Sequence, residues 1–359
     1  MSGAIPETQP EGHSQIVTPD RPCNLCGSSR AEVLSTRDRD GNGLRTVMCE
    51  RCGLIYADPL PFDVKEYYSE DYRLDYKGAY IPKPKHVLRA GLVALDRLGR
   101  LGPGVLPQSG SLLDVGSGGG EFVYLCRSLG QAARGIEPNR GYATYSMREL
   151  GLDVELARSD AELPAGTMDV VTMWHVLEHI DDPSSALANM ARTLKRDGLL
   201  VVEVPNIRAV CQAPGSTFHA AHIFSFSPRT LEALAIGAGL EKVSLALSPD
   251  GGNVMLVCRP AAGAAAGPAE PDWAALAADG REIASMIRYR SFLGYLARGP
   301  WLRRAAARQL KAIREMAWLA LRGRQGHGSL RKGILDTLYA SEAKKSRLVV
   351  RPIGQPAAD

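Results

Sequence analysis

The sequence predicts an α/β protein: a doubly wound, mainly parallel sheet with an antiparallel last strand, a cysteine module before it and helices after it. Three observations carry this. In "SLLDVGSGGGEF", residues 111–122, an apolar strand runs straight into a glycine-rich turn. Beyond it, strand-like and helix-like segments alternate, the pattern of strands joined by crossover helices. Two C-x-x-C pairs stand near the start, Cys23/Cys26 and Cys49/Cys52.

The 359 residues suffice for one large domain and one or two smaller modules. The expected order is a disordered polar segment 1–20, a cysteine module 21–57, a helical linker or cap 58–109, the α/β domain 110–259, an Ala/Gly/Pro linker 260–272 and a basic helical region 273–359. The first twenty residues have neither a basic start nor an apolar stretch, so no secretory signal is expected. No apolar run approaches the roughly 18–20 residues of a membrane span. A cytoplasmic protein with reduced thiols follows as the expectation. The net charge of +4 conceals an asymmetry: from Arg281 onward there are 17 basic and 5 acidic side chains, against 26 and 34 before it. An acidic body therefore carries a basic tail.

In the cysteine module, "CNLCG" and "CERCG" each place two thiols on one tight turn. Gly27 and Gly53 permit the positive φ that lets backbone N–H groups face sulfur. The 22 residues between the pairs fit a hairpin turning at "DGNG", residues 40–43. Two such turns supply a tetrahedral four-thiolate set suited to a structural Zn²⁺. A disulfide pair disagrees with the expected compartment, and a redox site needs one C-x-x-C pair where the chain has two. Cys126, Cys211 and Cys258 stand alone in apolar settings and read as core residues.

The glycine turn departs from a dinucleotide fingerprint, G-x-G-x-x-G, because the third position is Glu121. A carboxylate at a helix start repels a pyrophosphate, and Asp114 adds to the repulsion. The same acids suit a cationic, zwitterionic ligand. The pattern D-x-G-x-G-x-G, on Asp114, Gly116, Gly118 and Gly120, resembles the first motif of class I S-adenosylmethionine-dependent methyltransferases.

The following segments agree in order. After a helix over about 121–129 comes "ARGIEPN", a strand ending in Glu137, an acid placed to accept both ribose hydroxyls. "ARSDAELP" carries Asp160 and Ala161, by resemblance the adenine contacts. "MDVVTMWHVLEHIDDP" is a buried strand, Val170–Met173, that leaves Trp174 and His175 at its end. An amphipathic helix begins near Pro183 and buries Ala186, Leu187, Met190 and Leu194. "GLLVVEVPN" is the next strand. Ser227 and Pro228 then open a further helix as N-cap and first residue. "EKVSLAL" and "GNVMLVCR" close the unit as an antiparallel hairpin. The resemblance covers about 110–259 and implies a Rossmann-like seven-stranded methyltransferase sheet. Asp114, Gly116, Ser117, Gly118, Gly120, Glu137, Asp160, Ala161, Trp174 and His175 would then hold S-adenosylmethionine.

With its cysteine module, the chain also resembles a bacterial methyltransferase group that serves sugar and surface-polysaccharide pathways. Its deoxysugar C-methyltransferases share the ribbon, the core and a Gly-Gly before the last strand, here Gly251–Gly252. By that resemblance Tyr67, Tyr68 and Tyr72 pack over the cofactor mouth. The departure is "STFHAAHIFSFS": His222 matches the family's histidine, but His219 replaces its tyrosine and Ala221 its glutamate. If helical, the two histidines share a face. An imidazole suits removal of a hydroxyl proton, so the leading expectation is O-methylation of a sugar, nucleotide sugar or lipid-linked glycan, with His222 as base and His219 assisting. C- or N-methylation of a deoxysugar or a small molecule such as a quinone precursor is the alternative. RNA methylation ranks below both, because residues 21–57 pair six arginines with four acids and lack interleaved aromatic residues. His175, Glu178 and His179 are expected to border the pocket.

The C-methyltransferases continue with a second α/β domain, which this sequence does not show. In the tail, Leu302, Ala306, Leu310, Ile313, Ala317 and Leu321 form an apolar stripe, with Arg303, Arg304, Arg308, Lys311 and Arg314 largely off it. Two readings are open: peripheral contact with the inner face of an anionic membrane, or packing on the catalytic domain or a partner.

Overall fold

The computed structural model describes residues 15–64, 81–102, 104–107, 109–262, 270–297, 300–322 and 329–346. The first sheet is built on the cysteine module. β1 (Ile16–Val17), β2 (Ala31–Arg37), β3 (Gly43–Cys49) and β4 (Ile55–Ala57) pair antiparallel in sequence order. The β2–β3 turn is fixed by Asp38, whose side chain accepts from the Asp40 and Asn42 amides, and by Gly41 at φ +86°. β1 lies inside the segment expected to be disordered. Its pairing with β2, and the Asp20 amide donating to the Asp58 carboxylate, order the chain from Gln15 onward. Residues 1–14 and 65–80, the latter holding Tyr67, Tyr68 and Tyr72, lie outside the described residues.

Next come α1 (Pro84–Leu101), β5 (Ser111–Val115), α2 (Glu121–Ser128), β6 (Ala132–Ile136), α3 (Arg140–Leu150), β7 (Val154–Glu155), β8 (Met168–Trp174), α4 (Pro183–Thr193) and β9 (Leu194–Pro205). They are followed by β10 (Phe224–Ser225), α5 (Pro228–Gly237), β11 (Leu240–Leu247) and β12 (Asn253–Pro260). The main sheet is a seven-stranded Rossmann-like sheet, ordered β11-β12-β9-β8-β5-β6-β7. β9, β8, β5, β6 and β7 run parallel, and β12 is antiparallel to both of its neighbours. Two residues of β7 and the helix α3 before it complete the parallel half. Neither stands out in the sequence, since a two-residue strand carries no period.

The alternation within β5 shows how the sheet is covered. Leu113 and Val115 face one core with Val171, Leu200 and Leu231, while Leu112 faces the other with Val170, Val123 and Leu88. Local signals set the helix ends. Asp182 accepts from the Ser185 amide ahead of Pro183, and Ser227 and Thr230 form a reciprocal capping box at the start of α5.

Two features join the modules. β10, from the main domain, pairs with β4 as the fifth strand of the cysteine-module sheet. α6 (Trp273–Tyr289), capped by Asp272, crosses the second cysteine turn so closely that a Cβ on Gly280 would lie 2.5 Å from the Gly53 Cα. Of the expected linker 260–272, residues 263–269 lie outside the described residues.

The tail continues as α7 (Phe292–Ala297), α8 (Pro300–Arg322) and α9 (Leu330–Ser346). α9 packs on the catalytic domain: Ile334, Leu335, Leu338 and Tyr339 are buried with Leu88 and Tyr124, and the Tyr339 hydroxyl donates to the Glu121 carbonyl. Arg331 pairs with Glu149 at 2.9 Å. No helix among the described residues is long and apolar enough to cross a membrane.

Candidate active site

A cavity of about 650 Å³ opens at the carboxyl ends of β5, β6, β8 and β9, where open α/β sheets bind ligands. Its floor is the turn after β5. Gly116 (φ +67°) and Gly118 (φ +58°) hold left-handed backbone there, and a Cβ on Gly116 would lie 2.6 Å from Val176. Gly120, expected among the cofactor contacts, is not among the residues lining the cavity, and a Cβ there would lie 2.6 Å from Leu152.

Both predicted acids reach the cavity. Glu137 accepts from the Gly118 amide at 2.7 Å and the Asn139 amide at 3.1 Å, which fixes a buried carboxylate against the turn. Asp114 accepts from the Thr172 hydroxyl at 2.6 Å. Complete burial pushes its carboxyl up to about 7, against the opposing pull of Thr172 and Arg97. Asp160 and Ala161 do not line the cavity. Arg158 draws the Asp160 carboxylate outward at 3.2 Å, and Ala157, Arg158 and Ser159 form that wall instead.

The cavity also holds a cation that no sequence motif marks. Arg97, on α1, stacks 4.8 Å over the Trp174 ring, lies 3.7 Å from Glu203, and lines the cavity beside Asp114. Its Nε, the Trp174 indole nitrogen and the Ser117 hydroxyl are buried without protein hydrogen-bond partners. An acid and a cation side by side match the ammonium and carboxylate of an amino-acid moiety, and buried partnerless polar atoms fit a polar ligand. The helical spacing of α1 hides this role among its other arginines.

His175 also lines the cavity, at φ +55°. Its two ring nitrogens each lie 3.3 Å from a carboxylate, Glu178 and Glu203. Burial alone would lower its pKa, but the two acids prevail and raise it to about 9, so it is an imidazolium at neutral pH. Glu203 is held at about 2, because His175 and Arg100 outweigh the effect of burial.

The remaining histidines form a cluster. His219 and His222 are close because of a turn, in which the His222 amide donates to the His219 carbonyl at 2.9 Å, and not through a shared helix face. Their rings lie 5.3 Å apart, and His222 meets His179 edge-on at 5.0 Å. The Ala221 amide donates to His219 Nδ1 at 2.9 Å, so His219 offers its other nitrogen as a donor and is not placed as a base. His179 Nδ1 lies 2.6 Å from the Ala221 carbonyl and ties down the same loop. Burial lowers His222 to about 3, the neighbouring His179 adding to the effect, which leaves its ring neutral. Glu178 is buried beside this cluster. His179 and His175 overcome its desolvation and hold it ionised, at about 2. Ligand atoms of Glu178, His179 and His222 all lie within 4.8 Å of one another, a spacing that can hold a cation.

In the cysteine module, the four sulfurs also lie within 4.8 Å of one another, with Cys23–Cys52 and Cys26–Cys49 at 3.5 Å. Gly27 and Gly53, both at φ +69°, donate their amides to the Cys23 and Cys49 carbonyls, making two matched turns. Four ligands at about 2.3 Å from one tetrahedral ion stand about 3.8 Å apart, so the set fits a metal.

Residues 88–245 match a protein-family model described as a methyltransferase domain. Among curated proteins, the chain is similar to the ubiquinone biosynthesis O-methyltransferase of Caulobacter vibrioides, 36% identical over 144 residues, covering 37% of this chain and 57% of that protein. It is also similar to the enzyme of the same description from Methylococcus capsulatus, 36% identical over 101 residues, covering 26% of this chain and 43% of that one. The chain thus spans about half the length of the curated relatives it matches. A solved methyltransferase structure from Leishmania major is 16% identical with a TM-score of 0.44, covering 63% of this chain and 96% of that one. The sheet order with its single reversed strand, the acid-flanked glycine turn and the family match agree: residues 111–260 have the fold of a class I S-adenosylmethionine-dependent methyltransferase domain.

Proposed function

We propose that this chain methylates a phenolic or catecholic hydroxyl of a quinone-precursor type, using S-adenosylmethionine. The relatives' description favours this alternative over the sugar-type hydroxyl that the sequence suggests first. The observation that carries it is His222, neutral in the cavity wall beside ionised Glu178. A phenol ionises near about 10, far below an aliphatic sugar hydroxyl, and so asks less of a neutral imidazole as proton acceptor. Aromatic side chains in the cavity, Phe122, Trp174 and Phe224, offer flat apolar walls.

When bound, S-adenosylmethionine supplies a methyl group made electrophilic by its sulfonium. Asp114 and Arg97 would hold the methionine end, Glu137 the ribose hydroxyls and the Gly116–Gly118 backbone the close approach. His222 accepts the acceptor's proton at a ring nitrogen, and the Glu178 carboxylate stabilises the imidazolium that forms. His219 donates from its free nitrogen and helps orient the acceptor.

For the cysteine cluster we infer zinc, since a four-thiolate tetrahedron leaves no open position and serves structure. A second reading of the reaction rests on the Glu178–His179–His222 spacing. If those groups hold a divalent ion, His222 is a ligand and not a base, and activity is lost on chelation that spares the cysteine site.

The deciding experiment is transfer of labelled methyl groups to a panel of catechols, hydroxybenzoates with and without prenyl chains, nucleotide sugars and RNA. Transfer to the phenols supports the proposal. Transfer confined to nucleotide sugars or RNA overturns it.

A further inference from the structure

α8 meets the body with the face that carries Glu315. That residue is buried and clamped by Arg89 at 3.0 and 2.6 Å, with Trp318 and Leu319 packed beside it on the second core. At 100° per residue, the opposite face collects Ala306, Leu310, Ile313, Ala317 and Ala320. This is the apolar stripe of the sequence, and it points away from the protein. Leu310, Ile313 and Met316 are 48%, 58% and 63% exposed. On α7, which packs against α8, Phe292 and Leu293 are 59% and 76% exposed. Such a row of large apolar side chains is costly in water and implies a covering surface.

Charge selects the surface. Residues 300–322 hold six basic side chains and one acid, Glu315, which Arg89 already neutralises. Arg314 borders the stripe, while Lys311 and Arg308 lie on the Glu315 side of the helix; all three are exposed. An apolar stripe backed by a basic polar face matches an anionic lipid surface, where the stripe enters the interface and Arg314 at its border reaches the head groups.

We propose that α8 is a membrane-surface helix that docks the protein on anionic lipid through Leu310, Ile313 and Met316. The Arg89–Glu315 pair connects this helix to the cavity wall, since Arg89 lines the cavity. Docking therefore fixes how the cavity mouth lies relative to the bilayer. The inference goes beyond the proposed reaction and does not depend on it.

The test is flotation of the full chain with vesicles of pure phosphatidylcholine, or of phosphatidylcholine with about 30% phosphatidylglycerol. The wild-type protein should float with the anionic vesicles and stay behind with the neutral ones. The double variant Leu310→Glu, Ile313→Glu should lose most of this binding, at least about tenfold, and Arg314→Glu should weaken it in the same direction. Unchanged melting temperature and S-adenosylmethionine affinity show that these variants are folded. Equal flotation of wild type and variants overturns the proposal. So does a dimer in solution that Ile313→Glu dissociates, with no vesicle binding.

Discussion

Asp114 is an acid that must exist in two protonation states. In the free protein burial holds it at about 7, so at pH 6 it is mostly neutral. A bound ammonium favours the carboxylate, and the proton must then leave. Calorimetry of S-adenosylmethionine binding in buffers of different ionisation enthalpy should show about one proton released at pH 6, about half near pH 7 and almost none at pH 8.5. Affinity rises across the same window, and Asp114→Asn should abolish the pH dependence. His222 gives a contrasting expectation. Because its folded pKa is lowered to about 3, it stays neutral through pH 5–8 and contributes no acid limb to turnover there. His222→Ala should lower turnover by roughly 10²-fold, with cofactor affinity nearly unchanged. The residues that the sequence made legible here, Asp114 and Glu137, lie at fixed offsets from one turn. Arg97 and Glu203 were not legible, because their roles arise only when α1 and β9 meet across the cavity.

Between elements, the main link runs from the cysteine module to the histidine loop. β10 follows His222 by two residues and pairs with β4, so the cysteine module holds the edge on which His222 is mounted. Treatment with a strong chelator, or Cys49→Ser, should therefore reduce turnover about tenfold or more while the main sheet still binds S-adenosylmethionine. Far-ultraviolet circular dichroism and calorimetry on the same sample check both halves. The Gly53–Gly280 crossing makes a second prediction. A Cβ 2.5 Å from the Gly53 Cα forces α6 off the ribbon, so Gly280→Ala should cost about 1–3 kcal/mol in denaturant unfolding. The helices α2, α4 and α5 and the β11–β12 hairpin could be read from caps and periods, which are local. The β4–β10 pairing joins residues far apart in the chain and left no local trace.

At the scale of the molecule, the tail divides into two parts. α9 belongs to the body, where Ile334, Leu335, Leu338 and Tyr339 are buried at about 1.5–3 kcal/mol each. Ending the chain at Gly328 should lower the melting temperature measurably and expose Leu88, whereas charge reversal on α8 should not. Both helices are basic in sequence, and which of their faces turns inward is decided by partners that no periodicity names. Everything rests on the acid-flanked turn as the seat of the cofactor. Titration calorimetry of S-adenosylmethionine into wild-type protein and Glu137→Ala tests this most directly. The account predicts saturable one-site binding to the wild type, weakened at least about tenfold in the variant. Equal binding to both, or heat from NADH but none from S-adenosylmethionine, would contradict it.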